Sequence, residues 1–221
     1  MVALCVFDAY GTLFDVDAAA RESGIAAEIW PRLSADWRRK QLEYTWLRSV
    51  AGAHVDFWQI TQDALDWALE AQGLREAGSR AQLLALYRHL AVFPEVPAVL
   101  ALLRARGVAL AILSNGSRAM LEDAVHAAGL DGSFAALLSV DAVGVFKPAR
   151  AVYDLVGQRF GAAPQEVLFV SSNGWDICAG AAYGFRTLWL NRAGLPMDRL
   201  HGAPEAEMRN MTDLPRYIRE L

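Results

Sequence analysis

Three apolar runs in this chain stop at polar clusters of the kinds that do chemistry. The first, Val2 to Phe7, ends at Asp8, with Gly11 breaking the strand and Thr12 beside it. The second, Val108 to Leu113, ends at Ser114, Asn115 and Gly116; the third, Val167 to Val170, ends at Ser171, Ser172 and Asn173. Between the last two lies Lys147, in the loop VFKPA ahead of a helical stretch. Ligands of open parallel sheets bind beyond the carboxyl ends of the strands. A carboxylate, an ammonium, hydroxyls and amides gathered there suit nucleophilic and proton-transfer chemistry. Each has a plainer use alone: Asp before Gly forms turns, Ser and Asn cap helices, and lysines are solvated. Their convergence on one edge argues for a site.

The elements that must hold these groups alternate along the chain. Buried strands are expected at Val2–Phe7, Val108–Leu113, Leu137–Val140, Val167–Val170 and Thr187–Leu190. Helical stretches fall between them: Val96–Arg106, closed by Gly107; Arg118–Ala128, stopped by Gly129; Ala149–Phe160, stopped by Gly161; and Ile177–Tyr183. A terminal helix opens near Pro215. This alternation predicts an α/β fold, a parallel sheet with helices on both faces. From Asp15 to Val92 the strand pattern is absent. Leu33, Trp37, Tyr44 and Leu47 recur at helical spacing, as do Phe57, Ile60, Ala64, Trp67 and Ala71, and then Leu83, Leu86, Tyr87 and Leu90. Their aromatic members read as core. The expected organisation is a sheet domain of residues 1–14 and 93–221, split by a helical subdomain of residues 15–92. Asp15 and Asp17 read as caps at its entrance.

Composition removes several function classes. A chain of 221 residues with 54% hydrophobic and 21% charged residues is globular and well packed. Its net charge of −4 gives no basic footprint for nucleic acid. No Lys or Arg precedes the first apolar run, which Asp8 interrupts, so no signal peptide is expected. The longest wholly apolar run, Val96 to Leu103, contains Pro97 and is too short to span a bilayer. Cys5 and Cys178 fit a reducing cytoplasm and read as small buried apolar residues. His54, His89, His126 and His201 share no spacing that suggests a site.

FDAYGTL, LSNGS, the lone KP lysine and FVSSNGWD together resemble the haloacid dehalogenase superfamily. With WRRKQLEYTWLRS (Trp37 to Ser49) added, the sequence is most similar to the type II L-2-haloacid dehalogenases. The resemblance runs from Val2 to about Asn191 and implies a Rossmann-like core with a helical cap inserted after its first strand. Most of that superfamily are phosphatases with DxD at the first strand, whose second Asp is the general acid; here Tyr10 occupies that position. An alkoxide leaving group needs a proton, whereas a halide is a weak base and needs none. Phosphatases also hold Mg²⁺, commonly through GDxxxD; SSNGWD replaces that motif here. Backbone N–H groups and a serine hydroxyl suffice for one substrate carboxylate. No metal and no cofactor are expected.

The resemblance implies covalent catalysis in two steps. Asp8 displaces halide from the carbon that bears it and becomes an ester; water then attacks the carbonyl of that ester. An (S)-2-haloacid would give an (R)-2-hydroxyacid. Lys147 would keep Asp8 ionised and oriented, because a nearby cation favours the charged form. By resemblance, Asn173 and Asp176 hold or activate the water, and Thr12, Tyr153 and Ser171 support the polar network. Ser114, with the backbone of Ala9, Tyr10 and Asn115, surrounds the substrate carboxylate. Arg38 reaches the leaving halogen from the cap, with Asn115 and Phe57 nearby, while Arg39 stays solvated. Tyr10, Leu42, Phe57 and Trp175 form the apolar wall; for Trp175 the plainer alternative is core packing. Related readings on the same ester chemistry are hydrolysis of fluoroacetate or opening of a small carboxylated ring. A Mg²⁺-dependent phosphatase is opposed by Tyr10, and a catalytically dead binding module by Asp8, Lys147 and Asp176 together. The partner expected is a small 2-haloacid, with no nucleic acid and no membrane. The resemblance also implies a homodimer, with the Trp-rich helical insertion as a candidate surface; the two cysteines fit a cytoplasmic location.

Overall fold

The computed structural model describes residues 3–74 and 77–220. Six strands form one sheet among these residues: β1 (Leu4–Phe7), β2 (Ala109–Ser114), β3 (Ala136–Ser139), β4 (Val167–Ser171), β5 (Arg186–Leu190) and β6 (Ala206–Met208). Their order is β3-β2-β1-β4-β5-β6, and every pairing is parallel. Strand β1 therefore lies inside the sheet, with Phe7 opposite Ile112 of β2 and Val170 of β4. All four β1 residues are buried, which is why its sequence is a continuous apolar run rather than an alternating one.

Helices α5 (Val96–Ala105), α6 (Arg118–Ala127), α7 (Arg150–Phe160) and α8 (Gly174–Tyr183) alternate with β2 to β5, and α9 (Leu214–Glu220) follows β6. Helices α5 to α8 pack against the sheet, and α9 against α5. Ser117 caps α6 by accepting the Met120 N–H at 3.3 Å. Within the expected insertion lie α1 (Ala18–Glu22), α2 (Trp30–Ala51), α3 (Phe57–Ala71) and α4 (Ala77–Arg88). Asp56 caps α3 through the Gln59 N–H at 2.9 Å. A buried polar network sets the rotation of α2: Trp37 Nε1 donates to the Thr61 carbonyl at 2.8 Å, and Gln41 Nε2 to Thr61 Oγ1 at 3.0 Å. The chain leaves and re-enters the sheet side by side, for Asp15 N donates to Ala91 O at 2.8 Å and Phe93 N to Leu13 O at 3.0 Å.

Several expectations from sequence change here. The first strand begins at Leu4 among the described residues; Met1, Val2 and Leu221 lie outside them. The helix expected from Ile177 begins at Gly174, so Trp175 and Asp176 stand in its first turn. Strand β6 has no counterpart among those expectations: three edge residues, one exposed and two half-buried, carry almost no periodic signal. The apolar spacing in α2 and α3 also overstates the core. Trp37 is buried, but Leu47 is 59% exposed and Trp46 and Trp67 stand near the surface. Trp67 instead offers its ring to Arg39 and Lys40, at 5.0 and 4.5 Å.

Candidate active site

The carboxyl ends of β1, β2 and β4 deliver their polar groups to one place. Asp8 follows β1 directly, and its N–H donates to Val170 O of β4 at 2.9 Å, which extends the pairing to the functional residue. Thr12 Oγ1 donates to Asp8 Oδ2 at 3.0 Å and itself accepts the Ser172 N–H at 2.8 Å. Asn173 Nδ2 donates to the same Oδ2 at 2.9 Å. Lys147 Nζ donates to Asp8 Oδ1 at 3.2 Å and to Asp176 Oδ2 at 2.8 Å. Tyr153, from α7, donates its hydroxyl to Asp176 Oδ1 at 2.7 Å. Both oxygens of each carboxylate thus have a donor. A bend after Asp8 makes room for this: Gly11 takes φ of +84°, a left-handed conformation that costs other residues free energy.

Burial makes these contacts consequential. The Lys147 side chain is 1% exposed and that of Asp176 is fully buried. Burial alone would push the Lys147 ammonium down, but Asp176 and Asp8 outweigh it and hold it above the ordinary lysine value. For Asp176, burial wins over the adjacent Lys147, and its carboxyl rises above the usual carboxylate range. Burial also pushes the Tyr153 phenol well up, reinforced by the neighbouring Asp176, so Tyr153 stays a donor. Phe169 lies beneath the ammonium, its ring centre 4.9 Å from Lys147 Nζ.

The remaining expected residues stand at the same strand ends and on α2, α3 and α8. Ser114 is buried and accepts the Gly116 N–H at 3.0 Å; Asn115 Oδ1 accepts the Lys147 N–H at 2.9 Å. Ser171 Oγ accepts the Asn173 N–H at 3.2 Å. Ala9 is fully buried, and its carbonyl accepts the N–H groups of Thr12, Leu13 and Phe14. Tyr10 stacks on Tyr87 at 5.7 Å and 17°, with Phe57 at 5.8 Å. Burial, first of all, holds the Tyr10 phenol well above its ordinary value. Arg38 reaches across from α2, 3.5 Å from Tyr10 O and 3.4 Å from Asn173 Oδ1. Arg39 pairs instead with Asp36 and Glu43, its side chain half exposed. Leu42 is half-buried one turn beyond Arg38. Trp175 is half-buried and packs edge-on to Trp46, ring centres 5.5 Å apart, with its buried Nε1 lacking a partner.

Sequence reasoning gave no individual site role to four members of this constellation. Ser172 braces Thr12, and Tyr87 supplies the surface on which Tyr10 stacks. Trp46 backs Trp175, and Ser139 donates to Gly116 O at 2.8 Å. Only Ser172 carried a signal, as the middle residue of a polar triplet at a strand end.

The sequence matches the haloacid dehalogenase-like hydrolase family over residues 2–184, most of the chain. This protein belongs to that family. Among its haloacid dehalogenase-like relatives is an (S)-2-haloacid dehalogenase of Pseudomonas sp. (strain YL), 44% identical over 210 residues, covering 93% of this chain and 89% of the relative. Haloacetate dehalogenase H-2 of Moraxella sp. (strain B) is 41% identical over 205 residues, covering 90% of each. The fold agrees with a solved family structure, the L-2-haloacid dehalogenase from Xanthobacter autotrophicus with chloropropionic acid covalently bound. The TM-score is 0.90 at 36% identity, with 100% of both chains covered.

Proposed function

We propose that this haloacid dehalogenase-like hydrolase cleaves the carbon–halogen bond of short (S)-2-haloalkanoic acids, giving (R)-2-hydroxyalkanoic acids and halide. The observation that carries the reading is Asp8, buried and held by Lys147, Thr12 and Asn173, with the aromatic Tyr10 two residues on. A carboxylate so fixed attacks carbon without reorganising first. Its oxygen forms a C–O bond while the C–halogen electron pair departs as halide, and the product is an ester of Asp8. Water then adds to the ester carbonyl. The charge that develops returns to oxygens already supplied with donors, Lys147 on one side and Thr12 and Asn173 on the other. Asp176, its carboxyl raised by burial, receives the proton of that water, and Tyr153 orients it. The adduct collapses as its C–O bond to the product breaks; the departing 2-alkoxide takes up that proton, freeing the (R)-2-hydroxyacid and the Asp8 carboxylate. Ser114 with the backbone of Ala9, Tyr10 and Asn115 binds the substrate carboxylate, and Ser171 keeps Asn173 in place. Arg38 and Asn115, with Phe57, receive the halide, while Tyr10, Leu42, Phe57 and Trp175 exclude water.

No metal takes part in this scheme. The Lys147 ammonium lies between the Asp8 and Asp176 carboxylates, where a divalent cation would compete for the same oxygens. Residues 15–92 act as a cap over a core of residues 1–14 and 93–221, supported by the paired crossings at 13–15 and 91–93. A homodimer is supported by Trp46, Leu47 and Val50, which expose apolar surface on one helix, Val50 at 90%. No helix of the described residues is long and apolar enough to cross a membrane. Two free cysteines accord with a cytoplasmic location. The haloacetate-named relative favours haloacetates as a second substrate class, on unchanged chemistry.

Halide release from each enantiomer of 2-chloropropionate, with EDTA present, tests this reading. Release from the (S) form alone is expected, and Asp8→Asn should abolish it even in a single turnover. Dependence on Mg²⁺, or a covalent adduct on a residue other than Asp8, would overturn it.

A further inference from the structure

Arg192 leaves the end of β5 and reaches both crossings between the sheet and residues 15–92. One amino group, Nη2, donates to the Thr12 carbonyl at 3.0 Å on the outgoing chain. The other, Nη1, pairs with Glu95 at 2.7 Å on the returning chain. The guanidinium plane lies over the Phe93 ring, 3.7 Å from its centre. Phe93 is itself bonded through its N–H to Leu13 O, one residue beyond Thr12. Glu95 also accepts the Met211 N–H at 3.4 Å, so the anchor is tied to the chain ahead of α9. An arginine placed only to neutralise Glu95 would present its fork to that carboxylate in bidentate fashion. Here the fork is split, and Nε is buried with no partner. Its orientation is set by the Thr12 carbonyl and the Phe93 face.

We infer that Arg192 is a positioning residue for the nucleophile, fixing the Thr12 peptide whose hydroxyl holds Asp8 and tying that peptide to the returning chain of the insertion. The inference rests on the reading of Asp8 given above. Thr12 is the only residue of the bend that both donates to Asp8 through its side chain and receives Arg192 on its backbone. Loss of the guanidinium frees that peptide to rotate, and the Asp8 carboxylate loses its fixed plane. Small misplacements of a reacting group cost up to roughly a hundredfold in rate.

The test is single-turnover formation of the Asp8 ester from (S)-2-chloropropionate, followed by mass spectrometry, with every variant, the wild-type reference included, carrying Asp176→Asn so that the ester accumulates and reactive sites can be counted from the final adduct. Arg192→Met should slow ester formation by about tenfold or more while the fraction of sites that finally react stays at the wild-type level. In a Thr12→Val background the same substitution should slow it less than about twofold, because the route through the hydroxyl is already gone. An unchanged rate per site in Arg192→Met, or an equal slowing in both backgrounds, would overturn the inference. If Arg192→Met does not fold, Arg192→Lys supplies the same comparison, keeping a cation near Glu95 but not the divided fork. Wild-type protein that forms its adduct elsewhere would sink both this and the assignment of Asp8. An adduct on Asp8 with unaffected Arg192 variants would sink this inference alone.

Discussion

Asp8 and Asp176, brought together from β1 and α8, share a single cation: Lys147 Nζ stands 3.2 Å from one and 2.8 Å from the other. Removing it leaves two carboxylates facing each other in a site almost closed to water. Lys147→Met is therefore expected to abolish turnover and to destabilise the fold by about 3–5 kcal/mol, the usual consequence of breaking a buried pair. Urea titration checks this, and Asp176→Asn, which leaves Lys147 with Asp8, should cost less.

Asp176 and Tyr153 belong to the second step of the proposed mechanism. With Asp176→Asn the first equivalent of halide should still be released while the ester on Asp8 accumulates. Tyr153→Phe deletes the donor at 2.7 Å and should slow ester hydrolysis by about tenfold, again without loss of the halide burst. Rapid-quench mass spectrometry separates the two steps; slow halide release in either variant contradicts the assignment.

Gly116 supplies space rather than backbone freedom. A Cβ there would lie 2.7 Å from Tyr10 Cε2 and 3.1 Å from its hydroxyl. Gly116→Ala must push the Tyr10 ring off Tyr87 and Phe57, an overpacking worth about 1–3 kcal/mol. A raised KM with a smaller effect on kcat is expected, since the apolar wall moves and the Asp8 donors do not. Steady-state kinetics on (S)-2-chloropropionate decide it.

Glu95 supplies a pH dependence of stability. Burial would raise its carboxyl, but its own backbone N–H, then Arg192 and Met211, hold it below the ordinary value. The unfolded chain then binds a proton more readily than the folded one, so this contribution is present above the ordinary carboxylate range and is lost as pH falls through the lowered folded value. Thermal melts of wild type and Glu95→Gln should converge as the pH is lowered from 6 toward ~3. Curves that stay parallel would show that Glu95 contributes no such linkage.

Much of this architecture is legible in the sequence because a strand buried on both faces has only one way to be written. β1, β2 and β4 are apolar without alternation, and the first polar residue after each marks the sheet edge. Asp8, Ser114 and the Ser171–Asn173 triplet could thus be placed before any coordinates. Tyr87 could not, because a stripe that packs α4 and a ring that supports Tyr10 look identical along one helix. Leu47 and Trp67 misled for the related reason that helical spacing reports a face without saying what covers it. Arg192 carried no signal: its partners lie on two other segments, and one of them is a backbone carbonyl.

The interior position of β1 bears on how the chain acquires its activity. The segment carrying Asp8 is synthesised before both of its sheet neighbours, β2 at Ala109–Ser114 and β4 at Val167–Ser171. One edge must wait for β2 and the other through the synthesis of residues 15–166, and parallel pairing at such separation is slow. A nascent chain halted before Val167 would hold Asp8 with neither Asn173 nor the Asp176–Tyr153 pair to surround it. Competence to react would arrive in one late event, when β4 slots in beside β1 and makes it an interior strand.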